Sequence, residues 1–292
     1  MKFILFTVLF LLSCAKQNAE KLALTFKGSN TSSEVVNMLA KIHNKSKIKK
    51  IQVIGGGSEE AINEFISGDL FYLNSSRKLN PEEIQQVERV NDKKVKEVIF
   101  ALDAIALIVN PKLGVHELNL TQISEILQGK IKNWKELGGP NLEITIYGRK
   151  NSSGTCHFIK EKFAPNGFAT NIVEKNNSNE IVRAVKSDLS AFSYVDLKSI
   201  SNKDHFPKRG IWAINIAIEG GNSVSPFERL VVLSGQYPLS RPLYQYIVDF
   251  EDPIISDFIK FELSDIGQDL IEREGFFKIL PMQKALNKEF GF

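Results

Sequence analysis

The chain has 292 residues, of which 37 are basic and 34 acidic, for a formal net charge of +3 at pH 7. This balance excludes the strongly basic surface that nucleic-acid and polyanion-binding proteins carry. Without an N-terminal leader, roughly 270 residues remain, enough for one large or two medium α/β domains.

The N-terminus is typical of an exported lipoprotein. A short cationic start precedes the apolar run 3–12, whose roughly ten residues are too few for the ~20 of a membrane-spanning helix. The run ends in Leu11-Leu12-Ser13-Cys14, which resembles a bacterial lipobox. Residues 1–14 are therefore predicted to be a signal peptide with lipidation at Cys14, and residues 15–21 a polar tether. An ordinary signal peptide with an incidental cysteine is the alternative.

Elements of the mature chain alternate between strands and helices. Strands are predicted at 22–26, 51–54, 71–73, 142–147 and 191–195. Helices are predicted around 35–42, 61–66, from Pro81, at 121–128, at 154–163 and around 253–273. Repeated βα units predict a parallel sheet.

The apolar run 98–109 is too long for an ordinary strand, and we interpret it as a strand that crosses between two domains. Residues 237–243 lead into another strand. These features predict an α/β protein of two lobes joined by crossing hinge strands. The first lobe would comprise 22–103 plus 238–292, and the second 104–237. One large doubly wound sheet is the alternative.

Catalytic and metal-binding patterns are missing from the sequence. The cysteines are Cys14 and Cys156, so a lipidated Cys14 leaves no disulfide partner. The four histidines are scattered, without metal-ligand spacing. Cys156 and His157 are neighbours, and adjacent helical residues point about 100° apart, so they cannot form a nucleophile–base dyad. We predict a protein that is not an enzyme and has no metal or cofactor.

Three loops rich in Gly, Ser and Thr each follow a strand and precede a helix: 28–33, 55–58 and 152–155. Such turns expose backbone N–H groups at the positive end of a helix, where anions bind. A fourth segment, 74–77, also follows a strand. Singly, each loop is explained as a helix cap, and 31–34 fits a capping box. Since a parallel α/β fold gathers its strand ends at one edge, the loops should converge on an anion.

Arg149 lies just before the third loop and supplies a planar, two-pronged grip for an oxyanion. A nucleotide-binding P-loop is excluded, because five residues separate Gly148 from Gly154 and Thr155 stands where that motif requires lysine. The pattern therefore favours a small anion over a nucleotide.

Four motifs resemble the substrate-binding proteins of bacterial phosphate ABC transporters (PstS-like). They are 103–110, 127–134, 148–155 and 237–243, and the similarity runs in order from about residue 22 to the C-terminus. The resemblance implies a type II periplasmic binding protein fold that closes two lobes around inorganic phosphate. It also implies delivery of phosphate to the permease subunits of an ABC transporter. Together with the lipobox and the balanced charge, this predicts an exported, lipid-anchored monomer that does not bind nucleic acid.

Carried over motif by motif, the resemblance implies phosphate contacts from both lobes. In the first loop, the candidates are Ser29, Asn30 and Thr31. The other implied contacts are Ser58, Ser76, Arg77, Arg149, Ser153, Gly154 and Thr155. Some relatives have an aspartate where Ser76 stands, and others have one where Asn151 stands. Discrimination against sulfate by a carboxylate is therefore in question. A receptor for another oxyanion such as sulfate, an adhesin and a phosphate sensor are the alternative functions.

Overall fold

The computed structural model describes residues 23–202, 206–248, 250–289 and 291–292. The expected signal peptide, the Cys14 lipidation site and the tether lie outside these residues and remain predictions. Within the described part of the chain, no helix is both long enough and apolar enough to cross a membrane.

Strands and helices alternate through most of the chain, as predicted. The strands are β1 (Ala23–Gly28), β2 (Lys50–Ile54), β3 (Tyr72–Ser75), β4 (Lys96–Val109), β5 (Glu117–Asn119), β6 (Thr145–Arg149), β7 (Val173–Lys175), β8 (Ala191–Asp196), β9 (Trp212–Ala213), β10 (Asn215–Ala217), β11 (Ser223–Val224) and β12 (Ser240–Ile247). The helices are α1 (Ser33–His43), α2 (Ser58–Ser67), α3 (Pro81–Asn91), α4 (Leu120–Leu127), α5 (Gly154–Phe163), α6 (Ser178–Ser187), α7 (Leu197–Ile200), α8 (Arg229–Leu233), α9 (Pro253–Leu263), α10 (Asp265–Arg273) and α11 (Pro281–Glu289).

The main sheet has the strand order β2-β1-β3-β12-β4-β8-β6-β7, with β9 beside β4. Parallel pairing joins β1 to β2 and β3 at one end, and β6 to β7 and β8 at the other. The central strands β12 and β4 are antiparallel to their neighbours. Each half is therefore built from the predicted parallel βα units, and antiparallel strands connect the halves.

Strand β4 belongs to both halves. Its residues from Lys96 to Ala104 pair with β12, and those from Ile105 to Val109 pair with β8. The strand path is continuous, but the sheet curls so that each half carries its own helices, which gives the predicted two-lobed architecture. The change of partner after Ala104 supports the expected lobe border at 103/104, which remains a prediction.

Two apolar clusters hold the loops in place. One packs α1 and α9 against the first-lobe sheet through Phe26, Val36 and Phe258, all essentially inaccessible to solvent. The other runs from Phe65 on α2 through β4 into the second lobe, where it includes Trp134. Because both clusters fix helices behind their strands, the strand-to-helix turns are held at the junction of the lobes.

The predicted helix around 253–273 is in fact two helices. Ser264 has an extended backbone (φ −66°, ψ 161°) that ends α9, and its hydroxyl caps α10 by accepting from the Gly267 amide at 3.2 Å. The predicted strand 142–147 begins only at Thr145. The preceding residues instead bond to 132–134, where the Trp134 amide donates to the Leu142 carbonyl.

Candidate functional site

Residues from four predicted segments meet where the lobes touch. The hydroxyl oxygens of Ser58 and Ser76 lie 3.2 Å apart in the first lobe. Across the junction, the hydroxyls of Thr31 and Thr155 lie 3.3 Å apart. A Cβ on Gly154 would lie 2.5 Å from the Ser76 oxygen and 2.6 Å from that of Ser58. The start of α5 in the second lobe therefore contacts three loops of the first lobe.

Three helices begin at this junction, at Ser33, Ser58 and Gly154. Their positive ends favour a negative charge there. Within the described residues, the backbone N–H groups of Ser58, Gly154 and Thr155 have no acceptor. These groups are donors that an anion can use.

The capping box expected at 31–34 is not formed. Ser32 is the N-cap of α1 but makes no side-chain capping bond, and its buried hydroxyl has no partner in the described structure. The Thr31 hydroxyl is occupied with Thr155 of the other lobe. The side chains of this segment therefore do not cap α1, and Thr31 instead bonds to the other lobe.

Four hydroxyl oxygens at the junction already accept a hydrogen bond from nitrogen. They are Ser29 from the Thr31 amide (3.2 Å), Ser58 from the Ser76 amide (3.2 Å), Ser153 from the Cys156 amide (3.4 Å) and Thr155 from the Arg241 guanidinium (3.0 Å). A hydroxyl that accepts through one lone pair keeps its own proton for donation. The site is therefore rich in donors.

Among the described residues, no carboxylate pairs directly with Arg149, a cation of the site. Its side chain is buried (5% exposed), its Nε atom has no partner among the described residues, and it makes no ion pair with them. Burial lowers the pKa of Arg149, although arginine remains charged at physiological pH. A buried guanidinium with unused donors is stabilised when an anion binds it.

A hydroxyl relay connects Arg149 to a carboxylate. Its Nη1 lies 3.4 Å from the Ser178 hydroxyl, which donates to Asp196 at 2.5 Å. Asn151 is exposed, and its Oδ1 lies 3.9 Å from the Cys156 sulfur. Asp196 thus acts on Arg149 through Ser178, and the guanidinium stays available to a ligand.

A cleft of about 200 Å³ opens beside Arg149 between the lobes. Asn30 and Thr31 line it from the first lobe, and Ser178 and Asp196 line it from the second. Of the proposed donors, Thr31 and Arg149 line this cleft, so a small anion that enters it can reach these two side chains.

Arg77 does not offer its guanidinium to this site, which corrects the expectation from sequence. Its Nε and Nη2 donate to Glu59 at 2.6 and 2.9 Å, and its Nη groups donate to Glu83 at 2.7 and 2.9 Å. The carbonyl of Lys78 accepts the fifth N–H at 3.0 Å. All five donors are thus used within the first lobe, and Arg77 neutralises the glutamate that follows Ser58.

Asn30 is the least suitable of the three first-loop candidates. It is exposed, and its Oδ1 accepts from the Gly56 amide at 2.9 Å, so the side chain ties the first loop to the second. Ser29 and Thr31 are buried and face the junction.

Four further residues support the site but were not predicted from the sequence to do so: Ser178, Asp196, Asp103 and Arg241. The two aspartates lie within or end otherwise apolar strands, a signal that was visible in the sequence. Burial raises the pKa of Asp103 to about 6, and the neighbouring Arg241 opposes that shift. Among the described residues, no group of three or more His, Cys, Asp or Glu side chains could hold a metal ion.

Comparison with known proteins gives consistent matches over most of the chain. Residues 15–265 match the model of the PBP superfamily domain. The phosphate-binding protein PstS of Borreliella burgdorferi is 29% identical over 280 residues, which cover 92% of this chain and 94% of that protein.

Two solved structures show the same architecture. A Clostridium perfringens protein, named as a phosphate ABC transporter substrate-binding protein and solved with bound phosphate, superposes with a TM-score of 0.74 at 27% identity. That match covers 88% of this chain and all of the other. An ABC-type phosphate transport receptor from Vibrio cholerae gives a TM-score of 0.72 at 22% identity, with the same coverage. At that identity, the second likeness establishes only the fold.

Proposed function

Because this chain belongs to the PBP superfamily, we propose that it binds inorganic phosphate between its lobes and delivers it to an ABC-type import permease. The family resemblance and the two-lobed fold inferred from the sequence are confirmed by the comparisons. The observation that carries the proposal is the buried Arg149, which has no carboxylate partner among the described residues and lies beside a cleft between the lobes.

Several donors from both lobes would hold the anion. They are Arg149, the hydroxyls of Ser29, Thr31, Ser58, Ser76, Ser153 and Thr155, and the amides of Ser58, Gly154 and Thr155. Micromolar affinity requires about 8 kcal/mol, and each charge-assisted hydrogen bond contributes about 1.5–3 kcal/mol. About three to six such bonds, shared between the lobes, reach that value and favour the closed arrangement.

We further propose that this chain is a transport protein without catalytic activity. The relatives with the same architecture are named as binding proteins of phosphate transport. The lipobox-like Leu11-Leu12-Ser13-Cys14 supports anchoring of this chain to the outer face of a membrane, where we propose that it acts as a monomer. The tether would let the lobes reach a permease in the same membrane.

A receptor for sulfate is the second candidate, because the nearby carboxylates already have partners. Glu59 bonds to Arg77, Asp103 bonds to Arg241 and Asp196 bonds to Ser178. Because arginines neutralise Glu59 and Asp103, these two carboxylates exert little of the repulsion that would reject a fully ionised tetrahedral anion, and the charge of Asp196 acts on Arg149 through Ser178.

The direct test is to purify the protein without added phosphate and identify any retained anion by mass spectrometry and a colorimetric phosphate assay. We expect stoichiometric phosphate, and calorimetric rebinding after its removal by unfolding and refolding. Retained sulfate would favour the second candidate. A protein that carries no anion and binds neither phosphate nor sulfate would refute the proposal.

A further inference from the structure

Arg241 lies at the hinge between the lobes, paired with Asp103. The two residues are opposite each other in the register of β12 and β4, and both are almost fully buried. The Nε and Nη2 of Arg241 donate to one oxygen of Asp103, at 3.1 and 2.9 Å. The ion pair thus joins the two hinge strands next to the point where β4 changes its partner.

Arg241 also donates one hydrogen bond to each lobe. Its Nη1 donates to the Ser76 carbonyl at 3.1 Å in the first lobe, and its Nη2 donates to the Thr155 hydroxyl at 3.0 Å in the second. The guanidinium carbon also lies 5.6 Å from the ring centre of Phe158, on the second-lobe helix α5. One side chain therefore contacts the hinge and both walls of the site.

We infer that Arg241 is a positioning residue that couples closure of the lobes to anion binding. When the lobes are closed, its bond to Thr155 occupies a lone pair of that hydroxyl, so the hydroxyl proton is left to donate. When the lobes separate, Thr155 moves away with the second lobe and this bond is lost. Arg241 thus stabilises the closed state and orients one of its donors, an inference that rests on the proposed function.

A purely structural ion pair is the competing explanation. Such a pair would need only the two bonds to Asp103, and buried pairs often contribute little to stability. It would not explain the bonds to Ser76 and Thr155, which lie on opposite sides of the junction. Because Asp103 neutralises Arg241, the effect on an anion would come from geometry more than from net charge.

The test is a double-mutant cycle between Arg241→Lys and Thr155→Val, read by calorimetry and by stopped-flow dissociation of phosphate. Lysine keeps the charge beside Asp103 but cannot reach three partners, and valine removes only the hydroxyl. We expect Arg241→Lys to weaken phosphate binding about tenfold or more, mainly through faster dissociation. In the Thr155→Val background, the same substitution should change affinity by less than about threefold.

The inference would be overturned if the two substitutions acted independently, so that their losses in affinity multiply and their binding free energies add. Unchanged affinity in Arg241→Lys would also overturn it. If Arg241→Lys does not fold, the double variant Asp103→Asn/Arg241→Gln replaces it, since that pair is neutral and leaves no buried charge unpaired. Wild-type protein in the same titrations separates the two hypotheses. Absence of phosphate binding there refutes the proposed function, whereas binding with an additive cycle refutes only the role of Arg241.

Discussion

The hydroxyl oxygens of Thr31 and Thr155 lie 3.3 Å apart, although the residues are 124 positions apart in sequence and belong to different lobes. The contact places the first loop of one lobe against the first turn of α5 in the other. Since Arg241 donates to Thr155, the Thr155 proton is directed toward Thr31 or toward a bound oxyanion. The contact that holds the lobes together therefore also sets the direction in which Thr155 donates.

Gly154→Ala should prevent the lobes from closing. Its added methyl group would meet the Ser58 and Ser76 hydroxyls at 2.6 and 2.5 Å, far inside van der Waals contact. Overpacking of this kind costs about 1–3 kcal/mol, so phosphate should bind about 5- to 150-fold more weakly. Calorimetry measures the affinity, and small-angle scattering measures closure. Lys162→Ala, an exposed change on the same helix, should behave like wild type, and equal affinities in the two variants would contradict the packing.

Sulfate should compete with phosphate at this site. Arginines neutralise Glu59 and Asp103, and the hydroxyls of the described junction are arranged to donate. We expect the dissociation constants of the two anions at pH 7 to lie within about tenfold, the ratio that 1.4 kcal/mol represents. Ser76→Asp should widen the ratio in favour of phosphate, because the new carboxylate can accept the proton of hydrogen phosphate and repels sulfate. A strong preference of the wild-type protein for phosphate would contradict this prediction, because it would mean that another group accepts the proton of hydrogen phosphate.

Glu262 should make the protein less stable as the pH rises. Complete burial raises its pKa well above the ordinary 4.5, and its Oε2 atom has no partner in the described structure. The folded state keeps this proton while the unfolded state releases it above pH 4.5, so stability falls as the pH rises, by up to about 1.4 kcal/mol per unit. Urea unfolding between pH 5 and 8 should show this decline in wild type and a flatter profile in Glu262→Gln. Parallel profiles would mean that Glu262 ionises in the folded protein.

His43 should make the protein less stable as the pH falls. Both of its ring nitrogens are buried without a partner in the described chain, and burial lowers the pKa of His43 below 6.5. Below pH 6.5 the unfolded state takes up a proton that the folded state resists, so stability falls as the pH decreases toward the folded pKa. His43→Leu, which keeps the contact with Phe258, should lose less stability than wild type between pH 7 and 5.5. An equal loss in the two proteins would exclude His43 as the cause.

The loops of the site were predictable because their composition has a local physical meaning. Glycine and hydroxyl residues between a strand and a helix mark an exposed helix N-terminus, and parallel strand order brings such turns to one edge. For that reason the loops 28–33, 55–58 and 152–155 were predictable from composition, whereas Ser58, Gly154 and Thr155 within them were implied by the resemblance to PstS-like proteins. The long strand β4 was predictable because its apolar run is too long for one domain.

The partners of the charged residues were not predictable in this way. Arg77 is an expected anion ligand by its motif, yet Glu59 and Glu83, 18 and 6 positions away, take its donors. Arg241 meets Asp103 across 138 positions. Such pairings depend on the register of distant strands and on the direction of helices, neither of which composition or periodicity specifies. The break at Ser264 is a similar case, since a serine can continue a helix or cap the next.

The most direct test of the central claim is a calorimetric phosphate titration of Arg149→Ala beside wild type, with Arg77→Gln as a matched arginine control. We expect Arg149→Ala to lose at least about 100-fold in affinity while its melting temperature stays near that of wild type, because Arg149 makes no ion pair in the described protein. Arg77→Gln should be less stable yet keep more affinity, since its partners are two glutamates. Wild-type affinity in Arg149→Ala would contradict the claim that this buried guanidinium holds the anion.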